Sequence, residues 1–250
     1  LQAQAGTDPH DPFSTAPITD LDTPLEQADL GSIRAMITPD LGSAAMSHAY
    51  SSIFADRTSH FRHHFAAAID ASPDFTDGDN CFEVLRGVNF VAAHGGRVRD
   101  HRDSLSPNVV DNVDRGLAYS LADVAEAHLQ QSRIARAWLD LFEDIDVVIC
   151  PAASSTPFPH DQWSVSEIDG ETMETYMRWL GITYLPTMAL ACGIALPCGL
   201  DQAGMPFGIQ VLSAPGNDRL VAEVAKALES VLQCHDATRR PLPDLDSLRG

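Results

Sequence analysis

The sequence predicts an α/β fold, and three observations carry that prediction. Asp146-Val147-Val148-Ile149-Cys150-Pro151 contains an unbroken run of apolar, largely β-branched residues closed by proline. Its side chains cannot alternate between core and water, so it is expected to be a strand buried on both faces, inside a sheet. Two more apolar runs, 192–200 and 205–212, flank Asp201-Gln202-Ala203-Gly204, a turn with glycine last, and together they read as a β-hairpin. Segments with apolar residues at helical spacing lie before and after these strands.

Taken in order, Leu1 to Gly6 lacks an initiator methionine and has the pattern of a last helical turn ended by glycine. The chain is therefore expected to be a fragment or processed product of something longer. Residues 1–30 are otherwise rich in Pro, Asp, Thr and Ser and are expected to wrap irregularly over the surface. Ser32 to Ile37 reads as a strand stopped by Thr38-Pro39-Asp40-Leu41-Gly42. From Ser47 to Ile69, the residues Tyr50, Ile53, Phe54, Phe61, Phe65 and Ile69 fit a helical stripe over much of their length.

Asp70 to Asn80 is expected to be an acidic loop. Phe82, Val84, Leu85, Val88, Phe90 and Val91 then predict a helix that Gly95-Gly96 ends. Pro107 to Arg115 reads as a short helix. Ser120 with Asp123 forms a capping-box pattern for a longer one, which should feed directly into the strand at Val147. Asp169 to Leu190 is expected to be a helix begun by an Asp-Gly cap, running at least to Tyr184 and interrupted by Pro186. Pro197 and Pro206 each remove a backbone donor, which places them at strand ends or on an edge. Asn217 should cap a helix with Leu220, Val221, Val224, Leu228, Val231 and Leu232 on one face. Residues 235–250 are expected to be a loose tail.

Composition narrows the function. With 44% hydrophobic residues the 250-residue chain has ample material for one core. Its formal net charge of −19 argues against nucleic acid or an anionic membrane surface as partner, since both require clustered basic residues. No apolar stretch reaches the roughly 18–20 residues of a membrane span. The five cysteines are odd in number and three sit in apolar runs, which suits reduced thiols in a cytoplasmic protein better than a disulfide framework.

Few residues have the company that chemistry needs. Ser154-Ser155 follows the buried strand, where open α/β sheets place functional loops, but no G-x-S-x-G elbow or glycine-rich loop surrounds the pair. A loop serine that caps or lines a pocket is the plainer reading. Lys226, the single lysine, lies between Glu223 and Glu229, whose charges favour its protonated form. His60, His63 and His64 fall within one or two turns, yet no further zinc-ligand pattern accompanies them, so no metal or other cofactor is assigned. Asp74 to Asp79 superficially matches a calcium loop, but aligning Gly78 puts Pro73 and Phe75 at ligand positions, and it is rejected. Tyr176, Trp179, Leu180 and Thr183 stand at i, i+3, i+4 and i+7, hence on one helical face if the segment is helical. Such a face belongs more often to a core than to a pocket.

The later motifs carry a family resemblance. "DVVICPAASSTPFP" and "TYMRWLGITYLPTMALACGIALPCGLDQAGMPFGIQVLSAPGND" resemble the ending of amidase-signature enzymes, roughly D-hh-h-x-P-T…P-x-h-x-P-x-G…G-h-P-h-G-h-Q with h apolar. "AGTDPHDP" and "ITPDLG" resemble runs in the middle of such enzymes, so the likeness covers nearly the whole chain. It departs where the family's P-A-h-S-h-P reads Cys192-Gly193-Ile194-Ala195-Leu196-Pro197. Apolar neighbours make Cys192 a buried structural thiol rather than a reactive one.

The resemblance implies that residues 1–250 are the C-terminal part of a single α/β/α domain on a twisted mixed sheet. It implies an enzyme that hydrolyses small-molecule carboxylic amides through a Ser, cis-Ser, Lys mechanism. The glycine- and serine-rich nucleophile segment and the earlier lysine have no counterpart in this sequence, so no residue here is assigned a catalytic role. The partner it lacks is then the N-terminal half of the same domain, and a homodimer is left open. Pro151, Ser154, Phe158, Tyr176, Trp179, Leu180 and Thr183 are implied to line the acyl pocket. The alternative is a non-catalytic binding module or pseudo-enzyme subunit of the same descent. A hydrolase built on Ser154 or Cys192 is the least supported option.

Overall fold

The computed structural model describes residues 6–11, 14 and 23–242. The reading of Leu1–Ala5 as a helix end, most of the wrapping segment and residues 243–250 of the tail lie outside them. Five strands form one mixed sheet: β1 (Arg34–Ile37), β2 (Ala67–Asp70), β3 (Val147–Pro151), and, after a two-stranded hairpin of β4 (Glu167–Ile168) and β5 (Glu171–Thr172), β6 (Cys192–Leu200) and β7 (Pro206–Ser213). Their order is β2-β1-β3-β7-β6, with β2, β1 and β3 parallel and β7 and β6 antiparallel.

Central β3 is buried at all five positions, which is why its sequence carries no polar alternation. Val147 and Ile149 face one layer with Phe207, Ile209 and Val211, against α1 (His48–Ser59) and α6 (Asp218–Gln233). Val148 and Cys150 face the opposite layer, with Met36 and Leu212. That second layer is built by α2 (Gly78–His101), α4 (Leu121–Leu141) and α5 (Gly181–Met188), with α3 (Pro107–Ala118) packed outside α2. Pleating thus sends alternate residues of one strand into two separate cores, and the result is three layers, α/β/α.

Several sequence expectations hold. Ser120 and Asp123 make both bonds of a capping box, and α4 leads to β3 through a single turn. Asp201 Oδ1 accepts from the backbone N–H groups of Ala203 and Met205, both at 2.8 Å, and fixes the hairpin turn. Pro206 opens β7, and Pro197 lies on the outer strand β6 beside a register shift. Asn217 precedes α6 as expected but makes no side-chain cap; its Nδ2 donates to Ser213 Oγ at 3.1 Å.

Four expectations are corrected. The stripe from Ser47 to Ile69 is not one helix: α1 ends at Ser59, a 3-10 turn follows at Arg62–His64, and Ala67–Asp70 is β2. Phe61 and Phe65 reach the core from the turn, and β2 exists because its backbone pairs with β1. The predicted loop to Asn80 stops earlier, since α2 starts at Gly78. Gly95 and Gly96 do not end α2, which continues to His101. Two glycines cost roughly 1 kcal/mol each in a helix, a penalty that an extended hydrogen-bond ladder and packing offset. Finally, Asp169-Gly170 is no helix cap. Both residues have positive φ, 50° and 90°, and they form the turn between β4 and β5. The helix expected from Asp169 begins only with a 3-10 turn at Arg178–Leu180.

Candidate functional site

The parallel strands β1 and β3 end side by side, and the segments leaving them meet. Past β1, Thr38 N–H donates to Ile149 O at 3.0 Å, and Thr38 Oγ1 accepts from Leu41 N–H at 3.0 Å. Past β3, Ser154 O accepts from Ser47 N–H at 2.9 Å, which ties the start of α1 to the β3 loop. Asp169 joins them: its Oδ2 accepts from His48 N–H at 2.6 Å and lies 3.0 Å from His48 Nδ1. Gly181, the first residue of α5, packs on Ala44, where a side chain would come within 3.2 Å of Ala44 Cα. A cavity of about 500 Å³ opens at this junction, with Asp40, Ala44, Met46, His48, Glu174 and Arg178 on its walls.

Of the sequence-selected residues, Pro151 ends β3 and Ser154 lies in the loop that Ser47 binds, and none of the seven is among the described residues lining this cavity. Pro151 and Ser154 are buried, while Phe158, Tyr176, Trp179, Leu180 and Thr183 are half-buried. Phe158 and Trp179 meet edge to face, with centroids 5.4 Å apart. Trp179 Nε1 donates to Tyr176 O at 3.0 Å, and Thr183 Oγ1 donates to Leu180 O at 2.8 Å. Tyr176 diverges from the expected face because it precedes the helix. Its hydroxyl accepts from Arg86 Nη2 at 2.6 Å and Asn112 Nδ2 at 3.1 Å. Arg86 in turn lies over the Phe90 ring at 4.4 Å.

Sequence reasoning missed the supports beneath this wall. Asp79, Glu83 and Arg86 stand at i, i+4 and i+7 on α2, and each engages the segment 175–184. Asp79 pairs with Arg178 and accepts from the Tyr184 hydroxyl; Glu83 accepts from Thr175 Oγ1 at 2.6 Å. Burial, then the hydrogen bond to Asp79 and the charge of that carboxylate, push the Tyr184 phenol well above its ordinary pKa, so it stays a donor. Gln210, the last residue of the ending motif, is a second support. Its Nε2 donates to Pro151 O at 2.9 Å and to Ile182 O at 3.2 Å. Ile182 O is the acceptor that Pro186, lacking an N–H, cannot serve within α5. Gln210 therefore joins the end of β3 to α5. The available signal was a polar residue within an otherwise apolar strand, four residues after Pro206.

No nucleophile–base pair forms among the described residues. Ser154 is 1% exposed and its Oγ has no hydrogen-bond partner, whereas Ser155 Oγ donates to Thr156 O at 3.4 Å. Cys192 Sγ donates to Ala214 O at 3.1 Å, and burial, with Asp218 nearby, raises its pKa away from the reactive thiolate. Lys226 Nζ donates to Leu25 O at 2.6 Å and holds the segment before β1. His60 stacks on His235 and His63 lies beside His64, and no group of three His, Cys, Asp or Glu among the described residues is arranged to hold a metal. No helix among them is long and apolar enough to cross a membrane.

A mixed sheet between two helical layers, with a polar cavity beside the segment that leaves β1, defines a three-layered α/β protein. The family model described as Amidase matches residues 98–222, half of the sequence, and the chain belongs to that family. It is 28% identical over 160 residues to a fatty acid amide hydrolase of Medicago truncatula, covering 58% of this chain and 25% of the relative. It is 23% identical over 237 residues to an acylamidase of Rhodococcus erythropolis, covering 92% of this chain and 49% of that one. A solved bacterial aryl acylamidase of the amidase-signature enzymes superposes with a TM-score of 0.77 at 17% identity, over 90% of this chain and 49% of its own. The chain thus spans about half the length of these proteins, or less.

Proposed function

We propose that this chain forms the acyl-pocket side of an amide hydrolase whose nucleophile and proton-relaying lysine lie outside these 250 residues. The observation that carries the reading is the junction at the ends of β1 and β3. Ser154, buried with an unpartnered hydroxyl, lies in the loop leaving β3, the same loop carries Phe158 against Trp179, and no described serine or cysteine side chain is bonded to a histidine or lysine side chain. A site without a paired nucleophile and base fits substrate binding and not bond cleavage.

In this reading the substrate is a small carboxylic amide. A serine from the other part of the domain, paired with cis-Ser and Lys, attacks the amide carbonyl. The amine leaves with a proton relayed from the pair, and water then cleaves the acyl-enzyme. Phe158, Trp179, Leu180 and Thr183 would flank the acyl group, with Pro151 and Ser154 at its floor. Tyr176 would contribute through its ring, because its hydroxyl is already bonded to Arg86 and Asn112.

The test is to read the coding sequence upstream of Leu1 and to assay two proteins, this chain and the chain with its in-frame extension. An extension bearing a lysine and a later Gly/Ser-rich serine segment is expected to hydrolyse at least one of an anilide, a fatty amide and glutamine, and to lose that activity on Ser→Ala in that segment. This chain alone is expected to hydrolyse none. Turnover by the chain alone that survives Ser154→Ala and Ser155→Ala, or an in-frame stop directly upstream, would overturn the proposal; the stop would favour a non-catalytic binding module.

A further inference from the structure

On the side of the molecule away from the candidate site, the end of α1 meets the segment that follows α6. The His60 and His235 rings stack with centroids 3.8 Å apart and planes inclined by 26°. His235 also begins a turn: its Nδ1 accepts from Ala237 N–H at 3.1 Å, and its carbonyl accepts from Thr238 N–H at 3.0 Å and Arg239 N–H at 2.9 Å. Thr238 is 1% exposed and anchors the turn through Oγ1 to Leu232 O at 2.8 Å. The turn closes on the β6–β7 hairpin at Gly199, which has φ +83° and where a Cβ would meet Ala237 O at 2.0 Å. Only glycine admits that approach, so the backbone of 237 sits directly on the hairpin's register shift.

A proton on His235 Nδ1, or one on each ring, opposes closure. An imidazole whose Nδ1 accepts a hydrogen bond is neutral, and protonating that nitrogen removes the acceptor for Ala237 N–H. Two imidazolium rings cannot stack at 3.8 Å without like-charge repulsion. The surrounding charges give little compensation. Asp56 Oδ2 is 4.0 Å from His60 Nε2 but is already paired with Arg57 of the same helix. Asp236 pairs with Arg239 at 3.1 Å, and Asp29 Oδ1 accepts from Gly31 N–H at 3.0 Å. His63, His64 and Cys234 share the adjoining groove of about 810 Å³, where Asp29 is the one carboxylate among the described lining residues. No carboxylate among the described residues pairs with His235.

We propose that the stacked His60–His235 pair is an acid-sensitive latch that holds the segment 235–242 on the β6–β7 hairpin near neutral pH and releases it on protonation. Opening uncovers Gly199 at the outer strand of the sheet and widens the histidine-lined groove. The latch depends on no catalytic assignment, since none of its groups belongs to the candidate site.

Hydrogen–deuterium exchange of amides 237–239 in the purified chain tests this between pH 7.5 and 5.5, with each rate corrected for the intrinsic exchange of an unstructured peptide. An opening that takes up one proton becomes tenfold more favourable for each pH unit lost while the open form is protonated and the closed form is not, and imidazoles change charge between about pH 5 and 8. Protection is expected to fall about tenfold or more in the wild type. His235→Asn keeps an acceptor for the 237 amide but cannot titrate, and its protection is expected to change less than about twofold. His60→Phe keeps a ring without a charge and should show a smaller fall than wild type, while His63→Asn with His64→Asn should match wild type. Constant wild-type protection, an equal fall in His235→Asn, or, if that variant does not fold, an equal fall in His60→Phe would overturn the proposal.

Discussion

Replacing Gln210 with leucine removes the donor that joins β3 to α5 while leaving side-chain volume almost unchanged. Two carbonyls are affected, Pro151 O at 2.9 Å and Ile182 O at 3.2 Å. Ile182 is 0% exposed, and Pro186 has no N–H with which to recover the lost bond. A buried carbonyl left unpaired costs about 1–3 kcal/mol, so the pair predicts a loss of about 3 kcal/mol after the apolar gain from leucine. In a domain of this size each kcal/mol shifts Tm by about 2–4 °C, giving an expected fall of about 6–12 °C. Thermal unfolding by circular dichroism measures it. The sharper check is Pro186→Ala, which restores an N–H one helical turn after Ile182 and should be less harmful combined with Gln210→Leu than alone. The double-mutant cycle should show a favourable coupling of about 1 kcal/mol or more. A Tm change below about 2 °C for Gln210→Leu, or strict additivity in the cycle, would refute the argument that this amide substitutes for the proline.

Two further outcomes test the frame of the fold. Gly116→Ala places a Cβ 2.2 Å from Gly87 O, a backbone atom that cannot swing aside, so α2 and α3 must separate; a loss of at least about 2 kcal/mol is expected in urea unfolding, and a wild-type midpoint would disprove the close helix contact. The Asp146 carboxyl sits below the usual carboxylate range because, although burial acts to raise it, the bonds from the Arg34 side chain and backbone N–H outweigh that effect. A depressed folded-state pKa means the stabilisation is present above the unfolded value near 3.9 and is lost as pH falls through the folded one. The stability difference between wild type and Asp146→Asn should therefore be full at pH 6 and shrink steadily below about pH 4, and a difference that is flat with pH would contradict the assignment.

What was legible in the sequence was whatever depends on local pattern. The strand at Val147 showed itself because a strand buried on both faces needs an unbroken apolar run, the hairpin because its loop places Gly204 where φ is +78°, and α4 because its capping box is local. The family was legible for the same reason, its ending being a string of turn and strand residues. Tertiary structure alone decided the rest. Ala67–Asp70 became a strand only because β1 lay beside it, and Asp169-Gly170 became a hairpin turn whose carboxylate caps a helix 121 residues earlier in the chain. Tyr176 left the expected pocket face because Arg86 and Asn112, on two other helices, take its hydroxyl. Gln210 acquired its role from a proline 24 residues before it. A pattern within one turn or one strand records which backbone conformation is cheap, whereas these partnerships depend on which distant groups the folded chain brings within hydrogen-bonding reach, and no local spacing encodes that.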